Sequence, residues 1–549
     1  MHLARPWTTT LAVCLGGTAL MLASHATALA DDSIPIWHRW EAAFEADANS
    51  NTQLTVVLTS PDGKDRRVDS FWDGGRTWRV RFMPDRQGTW RYRTIAKPAH
   101  DGLHDRQGQF VCGKPSGTTC FQQHGPVRVS ANGRHFEHAD GTPFLWIVDT
   151  AWNGALKSSS GGWDRYLDNR VKNGFTGVQF VATQWRTAYT NAEGQKAYTG
   201  YDRIKIRPEF FRRIDQRIDR LNAKGLLAVP VMLWTLGSRE HNPGQLPESE
   251  AIRLARYLVA RYGSNHVVWF LPGDGNYFNE RVDRWKRIGR AVFDTDDRAP
   301  VFMHPQGMQW PYDAFLEEPW LDALGYQSGH GDDDRTLAWL HSGPPAEKHN
   351  RKPIRPVINL EPPYEDHIAY QSRKRHTDDT VRRTLYWSML NAPTAGTSYG
   401  AHGIWSWETS PKEPQEHGGT GVAKPWHEGM NLPGGRQLKH LAALFDSLHW
   451  WQLSPAPDFA VRVGETPPVP ARGGKAGLHV AAARSPRGEA VVYLPVGGTI
   501  VVKTEQLPQG WRAEWFDPCS GRTTAAKAER DSVFQSPNAE DWVLVFRSG

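Results

Sequence analysis

The feature that most constrains this chain is a series of eight short apolar segments between residues 144 and 407, with helix-like segments among them. They occupy 144–148, 175–182, 226–233, 267–271, 300–303, 321–326, 356–360 and 403–407. Most are β-branched or aromatic and apolar throughout, as parallel strands covered by helices on both faces must be. The clearest helical segment spans 208–224: Pro208 suits a first turn, Phe210, Ile214, Ile218 and Leu221 share one stripe, and Gly225 stops it. Others fall at 163–172, 248–262, 281–293, 378–390 and 436–448. This alternation predicts an α/β fold, a (β/α)8 TIM barrel over residues 124–452. A doubly wound open sheet would favour a Gly-rich phosphate turn after the first strand, where Asp149-Thr150-Ala151-Trp152 stands instead.

The flanks have a different rhythm. Residues 31–123 alternate apolar and polar positions between turn signals such as Pro61-Asp62-Gly63, which reads as an N-terminal β-sandwich. After a stretch containing Pro455, Pro457, Pro467, Pro468 and Pro470, residues 453–549 return to short strands, a C-terminal β-sandwich domain. Residues 1–30 read as a cleavable signal peptide: a basic start at His2 and Arg5, an apolar run over 11–23, and Ala28-Leu29-Ala30 before the cut. The mature chain is expected to start at Asp31 and to be secreted or periplasmic. No later apolar run approaches the roughly 18 residues of a membrane span.

Partner classes narrow further. The net charge is +6, but Lys and Arg are interspersed with Asp and Glu, so no basic block follows a phosphate backbone and nucleic-acid binding is not expected. Cys112 and Cys120 flank a turn-rich loop and, in an oxidising compartment, are expected to form a local disulfide; Cys519 is left over. The 25 tryptophans suit both a large aromatic core and stacking on the apolar faces of sugar rings, and most are expected in the core.

In a TIM barrel the working residues stand at the C-terminal strand ends. Reading those ends gives Asp149 and Trp152, then Gln184 and Trp185, Trp234, Asp274, His304 and Gln306, Tyr326, Gln327 and His330, Glu361 and Tyr364. His402 precedes the eighth segment, and Trp405 stands at its close. Such a rim of carboxylates, amides, imidazoles and indoles suits a carbohydrate: polar groups for hydroxyls and flat faces for rings. Cleaving a glycosidic bond needs two carboxylates, one protonated to help the leaving oxygen and one to attack or to activate water. Asp274 and Glu361, after the fourth and seventh segments, form the candidate catalytic pair. Any one strand-end carboxylate serves a salt bridge or a loop cap about as often; it is the pairing that favours chemistry. The candidate substrate contacts are Asp149, Trp152, Gln184, Trp185, His304, Tyr326, Tyr364, His402 and Trp405.

Rival chemistries leave little trace. No metal or cofactor is expected, since His304, His330 and His402 lack the spacing of a ligand cluster, although a metal-dependent hydrolase on the same barrel is a third reading. A Gly-x-Ser-x-Gly turn and a P-loop are both missing. A non-catalytic carbohydrate- or matrix-binding barrel is the alternative from another class, opposed by the presence of both carboxylates.

At these residues the chain resembles the apiosidase-like catalytic domain of glycoside hydrolase family 140. The resemblance is carried by Asp149-Thr150-Ala151-Trp152, Arg261-Tyr262-Gly263 with Val268-Trp269 and Asp274, Pro356-Val357-Ile358-Asn359-Leu360-Glu361-Pro362, and Tyr399-Gly400-Ala401-His402-Gly403-Ile404-Trp405. Upstream, Trp40-Glu41, Phe71-Trp72 and Gly88-Thr89-Trp90 resemble the β-sandwich that often precedes this barrel. Downstream, Trp515-Phe516-Asp517-Pro518 and Trp542-Val543-Leu544 resemble a module named for collagen binding. The resemblance implies a retaining barrel with Asp274 as acid/base and Glu361 as nucleophile; with the carboxylate pair and the rim, the expected activity is an exo-acting glycosidase on a plant or microbial polysaccharide side chain, its sugar apiose or another furanose. One departure stands out: Pro272 replaces the first glycine of the family's Gly-Gly-Asp, and proline restricts both its own φ and the conformation of Leu271.

Overall fold

The computed structural model describes residues 33–48, 51–237, 241–295, 298–464, 474–530 and 532–548. The signal-peptide reading of 1–30 and the prolines at 467, 468 and 470 lie outside the described residues. Eight parallel strands form the central sheet: β1 (Trp146–Thr150), β2 (Gly177–Val181), β3 (Leu227–Leu233), β4 (Trp269–Pro272), β5 (Val301–Phe302), β6 (Leu324–Gln327), β7 (Val357–Glu361) and β8 (Gly396–Gly400). Their order is 5-4-3-2-1-8-7-6, and a parallel bridge between Phe302 and Ala323 joins β5 to the start of β6. That bridge closes the sheet, and the fold is a TIM barrel.

The strands are buried along their length because helices cover the barrel outside: α1 (Ser160–Lys172), α2 (Pro208–Ala223), α3 (Glu248–Tyr262), α4 (Arg281–Val292), α5 (Asp334–Ser342), α6 (Asp378–Leu390) and α7 (Pro433–Asp446). In α2, Phe210, Phe211, Ile214, Ile218 and Leu221 are all buried while the opposite face stays charged, as a 3.6-residue period requires. No helix among the described residues is long and apolar enough to cross a membrane.

The eighth strand corrects the sequence reading. It is Gly396–Gly400, and residues 403–407 are turns that follow it, so His402 and Trp405 both lie after β8. Gly-Thr-Ser-Tyr-Gly carries little of the apolar signature of a buried strand, for a steric reason. A Cβ on Gly400 would lie 2.0 Å from the Tyr364 ring, and one on Gly396 would lie 2.1 Å from the Trp146 carbonyl oxygen. Ser398 Oγ accepts the Trp146 indole N–H at 3.1 Å, so its polar group is satisfied inside the barrel.

A sandwich of a five-stranded and a three-stranded sheet precedes the barrel, filled by Trp40, Leu54, Val56, Leu58, Trp78, Val80, Trp90 and Phe110. It is fastened by buried charge. Arg261 of α3 reaches Asp73 Oδ1 at 2.9 Å and Asp215 at 2.6 Å, and Arg81 meets the same Asp215 at 3.2 Å. Phe71 supplies a ring face to both guanidinium groups, 4.7 Å from Arg261 and 5.0 Å from Arg81.

The C-terminal domain pairs a six-stranded sheet with a three-stranded one. Alternation along its strands divides the larger sheet between two cores: Val491, Tyr493, Val543 and Val545 join the barrel's cluster, whereas Val492, Leu494, Leu544 and Phe546 fill the sandwich. Arg382 of α6 forms a two-point pair with Asp541 (2.7 Å for each bond), and Tyr386 stacks on Tyr493 with centroids 4.6 Å apart.

The expected Cys112–Cys120 disulfide is absent: both are free thiols, as is Cys519. Cys112 points inward from its strand into the sandwich core. Cys120 opens a helix whose Thr119–Gln122 capping box turns it toward the barrel, where its Sγ lies 3.8 Å from the Gly225 carbonyl oxygen. The two thiols thus belong to different cores, and thiol titration of unreduced, denatured protein is expected to count both. Arg261→Ala should destabilise the protein to chemical denaturation by less than the about 3–5 kcal/mol of a fully orphaned buried charge, because Arg79 still pairs with Asp73 and Arg81 with Asp215.

Candidate active site

The barrel's C-terminal mouth holds a cavity of about 330 Å³ lined by Trp152, Trp185, Trp234, Tyr364 and Trp405, with Asp274 and Glu361 in its wall. Asp274 follows β4 between two glycines that cannot be replaced cheaply. A Cβ on Gly273 would lie 2.8 Å from Val231, and one on Gly275 would lie 2.8 Å from both Thr235 and Tyr277. Pro272 leaves this exit registered to both neighbouring strands. Its carbonyl accepts the His304 N–H at 3.2 Å, and the Gly273 N–H reaches Leu233 O at 2.9 Å. Glu361 is the last residue of β7.

These two carboxyls differ in their surroundings. Asp274 has an edge open to the cavity, yet the barrel mouth encloses it so closely that desolvation and the nearby Glu361 charge push it up to about 7. Arg186 and a hydrogen bond from Gln327 Nε2 (3.1 Å to Oδ1) oppose this only in part. Burial also raises Glu361, but three groups favour its charged form: His304, a hydrogen bond from Tyr364, and Arg186. His330 Nε2 lies 3.1 Å from its Oε1. The surroundings therefore favour the proton on Asp274 and the negative charge on Glu361, the division of labour that acid-assisted bond cleavage needs.

The indoles form the floor. Trp185 and Trp234 meet at 4.3 Å between centroids, and Trp152 crosses Trp234 edge-on at 5.6 Å. Each is oriented through its indole N–H: Trp152 to Tyr364 Oη at 3.0 Å, Trp185 to Asn153 Oδ1 at 2.7 Å, Trp234 to Leu236 O at 3.0 Å. Among the described residues, no group of three or more His, Cys, Asp and Glu is placed to hold a metal ion.

Five expected substrate contacts do not line the cavity. Asp149 is fully buried in an ion pair with Arg170 (2.7 Å) and accepts the Tyr166 hydroxyl, so its carboxylate is spent on holding α1 to β1. Gln184 bonds the backbone of Ala197 and Tyr198, pinning the loop after β2. Tyr326 lies under the Trp339 ring. His402 is consumed between Gly421 O and the Trp405 indole, which it orients. His304 sits behind Glu361, at 3.4 Å. Conversely, Arg186, Gln309, Tyr370 and His417 line the cavity without having been singled out. They come from loops, where position relative to a strand gives no signal.

Residues 130–452 match the family described as apiosidase-like, catalytic domain. The chain belongs to that family. The apiosidase-like barrel carries the chemistry of a glycosidase, and Asp274 and Glu361 both fall within the matched span. Residues 33–97 match a domain of unknown function, and 470–547 a model named for a collagen-binding domain of a collagenase. No curated protein sequence matches the chain. Among solved structures, a glycoside hydrolase family 5 protein from Bacteroides vulgatus is 21% identical, with a TM-score of 0.67 over 78% of this chain and 94% of that one. A second Bacteroides vulgatus structure, assigned to the glycoside hydrolases, is 19% identical with a TM-score of 0.67 over 94% of this chain and 100% of that one. At such identities they establish a shared fold.

The apiosidase-like site makes a direct prediction about charge. Difference infrared spectra of wild type against Asp274→Asn should show one carboxyl titrating near pH 7. In Glu361→Gln the same carboxyl should titrate at lower pH, because a like charge that raised it is gone.

Proposed function

We propose that this glycosidase is a retaining, exo-acting enzyme that removes a terminal sugar from a side chain of a plant or microbial polysaccharide, with apiose or a related furanose as the favoured sugar. Asp274 is the acid/base and Glu361 the nucleophile. The observation that carries this is the split environment of the two carboxyls within one cavity: one held protonated to about pH 7, the other surrounded by groups that favour its charge. The choice of apiose follows the family's name, and we propose export from the signal-like sequence of residues 1–30.

In the proposed reaction the ring settles against Trp152, Trp185 and Trp234. Glu361 attacks the anomeric carbon as the glycosidic C–O bond breaks, and Asp274 gives its proton to the departing oxygen. Asp274, now a carboxylate, takes a proton from water as that water attacks the anomeric carbon and frees Glu361. Exo action is supported by the loops that brace one another at the mouth. Arg186 donates to Glu416 O (3.0 Å) and contacts His417 Nδ1 (3.1 Å), while Tyr189 donates to the Glu416 carboxylate. Tyr370, half-exposed at the rim, offers a face to the leaving chain.

Sugars released from pectic and arabinose-rich polysaccharides, read by chromatography, should contain one monosaccharide and no oligosaccharide ladder. Proton NMR of the first-formed product should show the substrate's anomeric configuration; the opposite anomer would exclude Glu361 as nucleophile. Asp274→Asn should lose roughly 10²–10⁴-fold in kcat/KM on the polysaccharide and much less on an aryl glycoside whose leaving group needs no proton. Glu361→Gln should be nearly inactive on both. Because the acid must be protonated, wild-type kcat/KM should fall as pH rises through about 7.

A further inference from the structure

Each oxygen of the Glu361 carboxylate faces a buried imidazole. His330 Nε2 lies 3.1 Å from Oε1 in a hydrogen bond, and His304 Nε2, which has no hydrogen-bond partner, lies 3.4 Å from Oε2. A neutral imidazole has one N–H and one lone pair, and whichever nitrogen accepts a hydrogen bond leaves the proton on the other. In both rings a donor occupies Nδ1. The Tyr364 backbone N–H reaches His330 Nδ1 at 3.3 Å, and Gln327 Nε2 reaches His304 Nδ1 at 3.0 Å. The proton of each ring is thereby directed to Nε2, toward Glu361. Burial lowers the basicity of both rings, which favours their neutral forms.

We propose that His304 and His330 are positioning residues, two tautomer-locked neutral rings that clamp the nucleophile, His330 by a hydrogen bond and His304 by an Nε2–H held facing the second oxygen, and that Gln327 ties this clamp to the acid. Gln327 can do so because its amide nitrogen carries two hydrogens: one meets His304 and the other meets Asp274 Oδ1 at 3.1 Å. This rests on Glu361 being the nucleophile. A neutral clamp orients the carboxylate without cancelling the charge it needs to attack, which two imidazolium ions would do. The other groups acting on these residues are few. Arg186 and Tyr364 act on Glu361; Glu361, Arg186 and Gln327 act on Asp274, which in turn is felt by Tyr277 and Tyr370; His376, His402 and His417 act on His330.

Long-range proton–nitrogen spectra of the wild-type protein test the clamp without any substrate. His304 and His330, assigned by loss of their signals in His304→Gln and His330→Gln, should show the neutral Nε2–H pattern at pH 7 and above. An Nδ1–H or imidazolium pattern in either ring would overturn the proposal. The pH profile of kcat/KM on an aryl glycoside that wild type hydrolyses supplies the second readout. His330→Leu should move the acidic limb upward by about one pH unit and lower kcat by on the order of a hundredfold. His330→Gln, which keeps an N–H near the same place, should restore most of both. Gln327→Leu should move the basic limb upward, since Asp274 loses a bond that favours its charge, and should let His304 sample the Nδ1–H form. Unmoved limbs in both Leu variants, with KM alone altered, would reduce these residues to packing. Should Glu361→Gln prove fully active, the nucleophile assignment fails, while the wild-type spectra still decide the tautomers.

Discussion

Everything at the mouth depends on how the barrel closes. The strand β5 is two residues long, and its join to β6 is a single bridge, Phe302 to Ala323, helped by the Asp322 N–H to Val301 O at 3.0 Å and the Tyr312 hydroxyl to Met303 O at 3.2 Å. The functional arc straddles this seam: Asp274 after β4, His304 after β5, Gln327 ending β6 and Glu361 ending β7. A slip of one residue there would turn the side chains of one strand to the other face, and the Gln327–His304 contact would be lost. A ladder of one bridge is thus crossed by the side chains with the most to align.

Electrostatics then follow from enclosure. Two carboxyls in a mouth walled by indoles cannot both shed their protons without cost, and the surroundings decide which one keeps it. Glu361 collects donors, whereas Asp274 has the Gln327 amide and an opposing charge. Close packing of Gly273 and Gly275 against β3 and Tyr277 leaves the acid little room to retreat. The Pro272 departure does not loosen it, since the carbonyl of Pro272 and the N–H of Gly273 still reach the strands on either side.

The sequence made the barrel legible because seven of its strands announce themselves as apolar runs, and because strand ends carry a positional meaning that loops lack. Gly396–Gly400 escaped because its small residues exist to make room for Tyr364 and Trp146, and an absence of bulk leaves no hydrophobic trace. Asp149 shows the converse error: a carboxylate at the right strand end, whose purpose is visible only once Arg170 is seen beside it. The pairing of Cys112 with Cys120 was read from chain proximity, but a capping box at Thr119 sends the second thiol to another core. Arg186, Tyr370 and His417 reach the cavity from loops whose paths depend on long-range contacts, such as Arg186 with Glu416.

The sheet shared between the barrel and the C-terminal domain changes what that domain is. Because alternate residues of 490–494 and 542–547 serve two interiors at once, the domain is a party wall. A chain ending near residue 452 would leave the outer flank of α6 bare, with Tyr386 and Arg382 facing water, so truncation is a change to the barrel itself. Grafting the domain elsewhere would carry an apolar surface with no host unless the matching helix travelled with it. Such a module diversifies by coevolving with its barrel, and its descent should track that of the catalytic domain.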